Sequence, residues 1–146
     1  MSSLVGLASD HAGFGLKQYV KSFLLENSFE CEDFGTDDES SCDYPDFAHK
    51  LAFAIEKGHC NWGIAICGSG NGINITLNKH QSIRSALCWL PEIALLARQH
   101  NDANVLVLPA RFISEEDSVP IIRSFMEGCF EGERHQTRID KIKLNT

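Results

Sequence analysis

Cys67 stands between a strand-like apolar run, Gly63-Ile64-Ala65-Ile66, and a glycine-rich turn, Gly68-Ser69-Gly70-Asn71-Gly72. Three glycines in five residues let backbone N–H groups converge on one point, because no side chains hold a ligand off. A helix-compatible run from Ile73 to Asn78 follows, and its first amides and dipole add to the positive field. Such a turn suits an anion, or an anion that forms during a reaction. A thiol at its lip is expected to ionise below the free value of about 8.5, and so to act as a base or nucleophile. The turn is not a dinucleotide fingerprint, since the sixth position counted from Gly68 is Ile73; nor is it a P-loop, since no Gly-Lys-Ser/Thr is present. Taken alone, the turn also reads as a tight strand–helix connection and Cys67 as a small apolar filler.

Other residues carry chemistry at a distance. Asp10-His11 closes the first apolar run, and Arg111 follows the last one. Arg134 and Arg138 lie four apart, so on a helix they share a face and can grip one phosphate, although a solvated basic face has the same pattern. His100, in Arg98-Gln99-His100-Asn101-Asp102, is either a working imidazole or a histidine that favours a helix C-terminus. His49, His59 and His80 have no such neighbours in sequence and read as surface residues. No Cys/His set has zinc spacing, so neither a metal nor another cofactor is expected.

These groups need a scaffold, and the apolar pattern supplies one. Leu4–Ala8, Phe29–Phe34, Gly63–Cys67, Ile83–Trp89 and Asn104–Pro109 read as five strands. Helices are predicted over Ala12–Asn27, from Pro45 to Gly58, over Ile73–Asn78 and Pro91–His100, and from a cap at Ser114, where Ser-x-x-Asp marks a start. A basic segment, Gly132–Lys143, reads as a terminal helix that packs on a partner subunit. Alternation of strand and helix predicts a single α/β domain over residues 1–146: a Rossmann-like three-layer sandwich around a five-stranded parallel sheet. Ligands in such sheets bind beyond the carboxyl ends of the strands, where Asp10, His11, Cys67–Gly72 and Arg111 fall. His100 and Asn101 end the helix before the fifth strand, so they lie at the opposite edge unless another subunit delivers them.

Composition narrows the partners. The 146 residues carry 13 basic and 20 acidic side chains, a net charge of −7, which argues against nucleic-acid binding. No run reaches the ~18 apolar residues of a membrane span, and the first residues lack a signal-peptide pattern, so a cytoplasmic protein is expected. The six cysteines show no C-x-x-C and read as reduced thiols.

Five motifs occur in one order: Gly6-Leu7-Ala8-Ser9-Asp10-His11-Ala12-Gly13-Phe14, Asp43-Tyr44-Pro45, Ile66-Cys67-Gly68-Ser69-Gly70-Asn71-Gly72, Arg98-Gln99-His100-Asn101-Asp102-Ala103-Asn104, and Glu131-Gly132-Glu133-Arg134-His135-Gln136-x-Arg138. From about Leu4 to Ile142 the chain resembles the family of type B ribose-5-phosphate isomerases and galactose-6-phosphate isomerase subunits. The resemblance implies metal-independent interconversion of ribose 5-phosphate and ribulose 5-phosphate, a step of the pentose phosphate pathway. It implies that Cys67 is the base moving a proton between C1 and C2, that Gly68, Gly70, Asn71 and Gly72 form the anion hole for the enediolate, and that His100 assists ring opening. Ser69, grouped with these catalytic residues, keeps the hydroxyl of the threonine common in cysteine-type members. His11, Arg111, Arg134 and Arg138 are implied to hold the phosphate, and Asp10, Tyr44 and Asn101 to line the sugar. Members that lack the cysteine use a glutamate just after the turn; here that position is Ile73. The family works as dimers with sites built from both subunits, so a homodimer is expected, with a tetramer left open. Two other readings stay in view: an isomerase of a six-carbon phosphosugar, such as allose or galactose 6-phosphate, and a non-catalytic phosphosugar-binding module on the same fold.

Overall fold

The computed structural model describes residues 4–144. Five strands, β1 (Leu4–Ser9), β2 (Glu30–Asp33), β3 (Trp62–Cys67), β4 (Ser85–Leu87) and β5 (Val105–Pro109), form one all-parallel sheet in the order β2-β1-β3-β5-β4. Between and after them run α1 (Phe14–Glu26), α2 (Tyr44–Glu56), α3 (Asn71–Leu77), α4 (Pro91–Asn101), α5 (Glu115–Glu127) and α6 (Arg134–Asp140). The expected α/β sandwich is the fold observed.

The period-two alternation of the central strands separates two cores. Ile64 and Ile66 of β3 and Leu106 and Leu108 of β5 face a layer containing Leu16, Val20 and Phe23 of α1, Ala94 and Ala97 of α4, and Ile121, Ile122 and Phe125 of α5. Ala65, Cys67, Val105 and Val107 face the other way, against Ala48, Leu51 and Ala52 of α2 and Ile73 and Leu77 of α3. The α2 side is tightly apposed: a Cβ on Gly6 would lie 2.4 Å from Leu51 Cδ1, and one on Gly63 would lie 2.8 Å from it. Glycine at both positions lets that helix lie directly on the sheet.

Helix starts follow the sequence. Pro45 and Pro91 occupy first turns, where the missing N–H costs nothing. Ser114 and Asp117 form the expected capping box. β4 is shorter than the Ile83–Trp89 run, because an edge strand pairs on one side only. Its far end leaves β5 at the loop leading to Pro91. The six cysteines are free thiols.

One buried charge was not anticipated. Lys17, on the inner side of α1, is fully buried; its ammonium donates to Asp33 Oδ1 at 2.5 Å and to the Thr36 carbonyl at 2.5 Å. Asp33 also accepts from the Gly35 N–H at 2.9 Å, while Ser9 and Gly35–Thr36 exchange backbone hydrogen bonds. Lys17 thus ties the loop after β2 to the carboxyl end of β1. Removing one partner of a buried pair leaves the other desolvated, so Lys17→Met is expected to cost about 3 kcal/mol, read as a lower free energy of unfolding in urea.

Candidate active site

The chain turns from β1 out to β2, then crosses back to place β3 on the other side of β1. At this reversal the loops after β1 and β3 diverge and leave a crevice, the usual ligand position in open α/β sheets. The crevice here is a cavity of about 360 Å³ lined by Asp10, His11, Ala12, Tyr44, Cys67, Gly68, Ser69, Gly72 and Arg111. Eight of the predicted site residues therefore meet in one chain, contributed by the ends of β1, β3 and β5 and the first turn of α2.

Each is held by local structure. Cys67 is 4% exposed, and its carbonyl accepts the Ala110 N–H at 2.9 Å; the Gly68 carbonyl accepts the Arg111 N–H at 2.9 Å. These two bonds fasten the glycine turn to the loop after β5 and lay the Arg111 side chain alongside Gly68. Ser69 Oγ accepts the Asn71 N–H at 3.2 Å, bending the turn into α3, with Gly70 as N-cap at φ +79°. A Cβ at Gly70 would lie 2.4 Å from Leu87 Cδ1, so conformation and space both require glycine there. Among the described residues, the amides of Gly68, Ser69, Gly70 and Gly72 donate to no acceptor in the chain. Tyr44 covers Gly72 so closely that a Cβ would lie 2.4 Å from its ring.

Across the crevice Asp10 is buried, and its Oδ1 accepts the Gly13 N–H at 3.1 Å. His11 Nδ1 accepts the Cys42 N–H at 3.3 Å, which puts the neutral ring's proton on Nε2 and leaves that nitrogen as a donor. The pocket thus combines a thiol, unpaired amides, a buried carboxylate, an imidazole donor and a guanidinium: groups suited to moving a proton next to a carbonyl while holding an anion.

His100, Asn101, Arg134 and Arg138 do not join them. α4 ends at the amino edge of the sheet, where Asn104 bonds Arg84 and Gly63. That is about a strand's length from Cys67, on the order of 15 Å. Arg84 and Arg98 bind the last carbonyls and Asp102, fixing the C-terminus of α4. Asn101 lines a separate cleft of about 680 Å³ with Arg84, Gln136 and Asp140.

The terminal helix lies on this end of its own chain. The His135 ring stacks on His100 with centroids 4.3 Å apart and planes 13° apart, and Glu131 Oε1 lies 3.4 Å from His135 Nε2 and 3.9 Å from His100 Nε2. His135 is 5% exposed, and its Nε2 has no hydrogen-bond partner. Burial first, then the Arg134, His100 and Arg138 charges, push its titration below the ordinary 6.5, against the opposing pull of Glu131. The unfolded chain then binds a proton that the folded chain refuses as pH falls below 6.5, so stability should drop in that window. The thermal midpoint is expected to fall between pH 7 and pH 5, and His135→Phe to flatten that fall.

Spacing along the chain hid several contacts. His49 and His80 are not isolated: their Nδ1 and Nε2 are 2.7 Å apart, and His80 Nδ1 lies 2.6 Å from Glu56 Oε1. Two mixed donor groups also form, Glu32–His59–Cys60 and His100–Glu131–His135. In the second, an ion would have to lie in the plane of each ring that binds it, which near-parallel stacked rings 4.3 Å apart do not permit. In the first, burial and the Glu32 charge push the Cys60 thiol up to about 11.

The sequence pattern of the ribose/galactose isomerase family matches residues 5–142. The ribose-5-phosphate isomerase B of Escherichia coli is 39% identical over 138 residues, covering 94% of this chain and 93% of that protein. Among solved structures, a ribose 5-phosphate isomerase from Thermotoga maritima superposes with a TM-score of 0.95 at 46% identity, covering 97% of this chain and 98% of that one. The Mycoplasma genitalium ribose-5-phosphate isomerase B, solved with bound ribulose-5-phosphate, superposes with a TM-score of 0.92 at 40% identity, covering 97% and 95%. With pattern, sequence and backbone in agreement over nearly its whole length, the chain belongs to the ribose/galactose isomerase family.

Proposed function

We propose that the protein interconverts ribose 5-phosphate and ribulose 5-phosphate without a metal, through an enediolate, with Cys67 as the base. The observation that carries this reading is the juxtaposition of Cys67 with four unpaired amides at the switch point of the sheet. In the forward direction the thiolate takes the proton from C2 of the open aldose, and negative charge develops on O1. The amides of the glycine turn, already oriented, are positioned to stabilise that oxyanion, each by on the order of 3 kcal/mol. Return of the proton to C1, with the O2 hydroxyl proton passing to O1 so that C2 becomes the carbonyl, completes the ketose. Ser69 orders the turn through Asn71, and Asp10 and Tyr44 bound the sugar.

His11 and Arg111 supply part of the phosphate site. Arg134 and Arg138, one turn apart on α6, are exposed and pair with no carboxylate among the described residues. The reading therefore assigns them, with His100 and Asn101, to the pocket of a second copy in a homodimer, where His100 opens the furanose ring. The ribulose-5-phosphate bound to the M. genitalium relative supports the choice of substrate. A coupled assay with ribose 5-phosphate, allose 6-phosphate and galactose 6-phosphate, each with and without EDTA, tests it. Conversion of ribose 5-phosphate unaffected by EDTA is the expected result. Conversion of a hexose phosphate alone, or loss of activity with EDTA, would overturn the assignment.

A further inference from the structure

The segment between α5 and α6 is built to one end. Gly132 and Glu133 both adopt positive φ, +69° and +51°, which folds the chain back sharply before α6 begins. Just before this turn, the Glu131 N–H donates to the Gln99 carbonyl at 3.0 Å, pinning Glu131 to the last turn of α4. Just after it, His135 is laid face to face on His100. Glu133 adopts φ +51° without the tolerance of glycine, a conformation that costs energy and persists where surrounding contacts enforce it. The result is a carboxylate beside the edges of two stacked imidazoles.

We infer that Glu131 is the positioning residue of His100: its carboxylate and the flat face of His135 fix the imidazole that opens the sugar ring. This rests on the role given to His100 above. His100 is partly exposed at a helix end, where an unsupported imidazole samples several rotamers. Stacking limits its tilt, because the His135 ring is itself buried. The Glu131 carboxylate, within 4 Å of both Nε2 atoms, then selects the direction in which the ring points. The charged side chains acting on His135 are Arg134 and Arg138 on α6 and Glu131 before it, besides His100 itself, and of these Glu131 is the negative one. A carboxylate that holds a catalytic imidazole in place is a recurring device in proton transfer.

Two measurements on Glu131→Gln test the inference. One is steady-state conversion of ribose 5-phosphate, which requires ring opening. The other is exchange of deuterium from D2O into C1 of ribulose 5-phosphate, an open-chain ketose, followed by proton NMR. Glu131→Gln should lower kcat for ribose 5-phosphate at least about tenfold, with KM unchanged or lower, and leave the exchange rate within about twofold of wild type. Glu131→Asp, which keeps the charge, should recover most of the lost rate. A raised KM with kcat intact would place Glu131 with the phosphate arginines instead, and an equal loss of conversion and exchange would mark a general structural role. Either result overturns the inference, as does an Asp variant no better than Gln. Absence of ribose 5-phosphate conversion by the wild-type protein would overturn the underlying reading; a fully active Gln variant would overturn this inference alone.

Discussion

Cys67→Ala abolishes conversion of ribose 5-phosphate while leaving the phosphosugar bound: this is the expected result that bears most directly on the chemistry. A positioned base contributes roughly 10²- to 10⁴-fold, and among the described residues no other proton acceptor lines the crevice beside the glycine turn except Asp10 and His11. Asp10 Oδ1 accepts the Gly13 amide, and the His11 Nδ1 lone pair accepts the Cys42 amide. Ile73, the position from which a glutamate serves in some relatives, is fully buried and apolar. Binding should persist because the amides and cationic groups that hold an anion are untouched. The fold should persist as well, since loss of one buried sulfur costs only about 1 kcal/mol. Turnover by coupled assay, together with calorimetric titration of ribose 5-phosphate into the variant, reads both halves. Normal turnover would remove Cys67 as base. Loss of turnover together with binding would mean that the thiol shapes the pocket instead of moving a proton. A purely binding function predicts no dependence on the thiol at all, so the same experiment separates catalyst from binding module.

Local pattern made the frame readable before any coordinates. The alternation Ile64/Ala65/Ile66/Cys67 dictates which side chains enter which core, and the structure sorts them accordingly. Ser114 with Asp117, and prolines at 45 and 91, mark helix starts through interactions spanning only a few residues. The glycine turn was legible for the same reason: its backbone needs are written in five consecutive residues. Features set by distant contacts were not. Lys17 looks like any surface lysine on an amphipathic helix until Asp33 and Thr36 close over it. His80, in the turn after α3, meets His49 and Glu56 of α2, which lie 31 and 24 residues earlier in the chain. The stack of His135 on His100 depends on two consecutive positive-φ residues, only one of them a glycine. The split between the crevice and the His100 group followed from the polarity of a parallel sheet: a helix preceding a strand must end at that strand's amino edge.

That split makes the strongest test of assembly a mixing experiment. His100→Asn alone should be nearly inactive on ribose 5-phosphate, and Cys67→Ala alone inactive. If each working site takes Cys67 from one chain and His100 from the other, a mixed dimer of the two variants contains one site with both substitutions and one with neither. Equal amounts of the variants, unfolded and refolded together, give mixed dimers for half the population, and each regains one of its two sites. Activity should therefore return to about one quarter of wild type, far above that of either variant alone. Within a single chain no route exists to the same recovery, because Cys67 closes the carboxyl edge of β3 and His100 lies at the amino edge beside β5, with the core of the sheet between them. Failure to recover, with mixed dimers verified by mass, would mean that His100 never reaches a Cys67 pocket. The arginines of α6 would then have to be removed from the phosphate site along with it, since Arg134 and Arg138 flank the ring that stacks on His100.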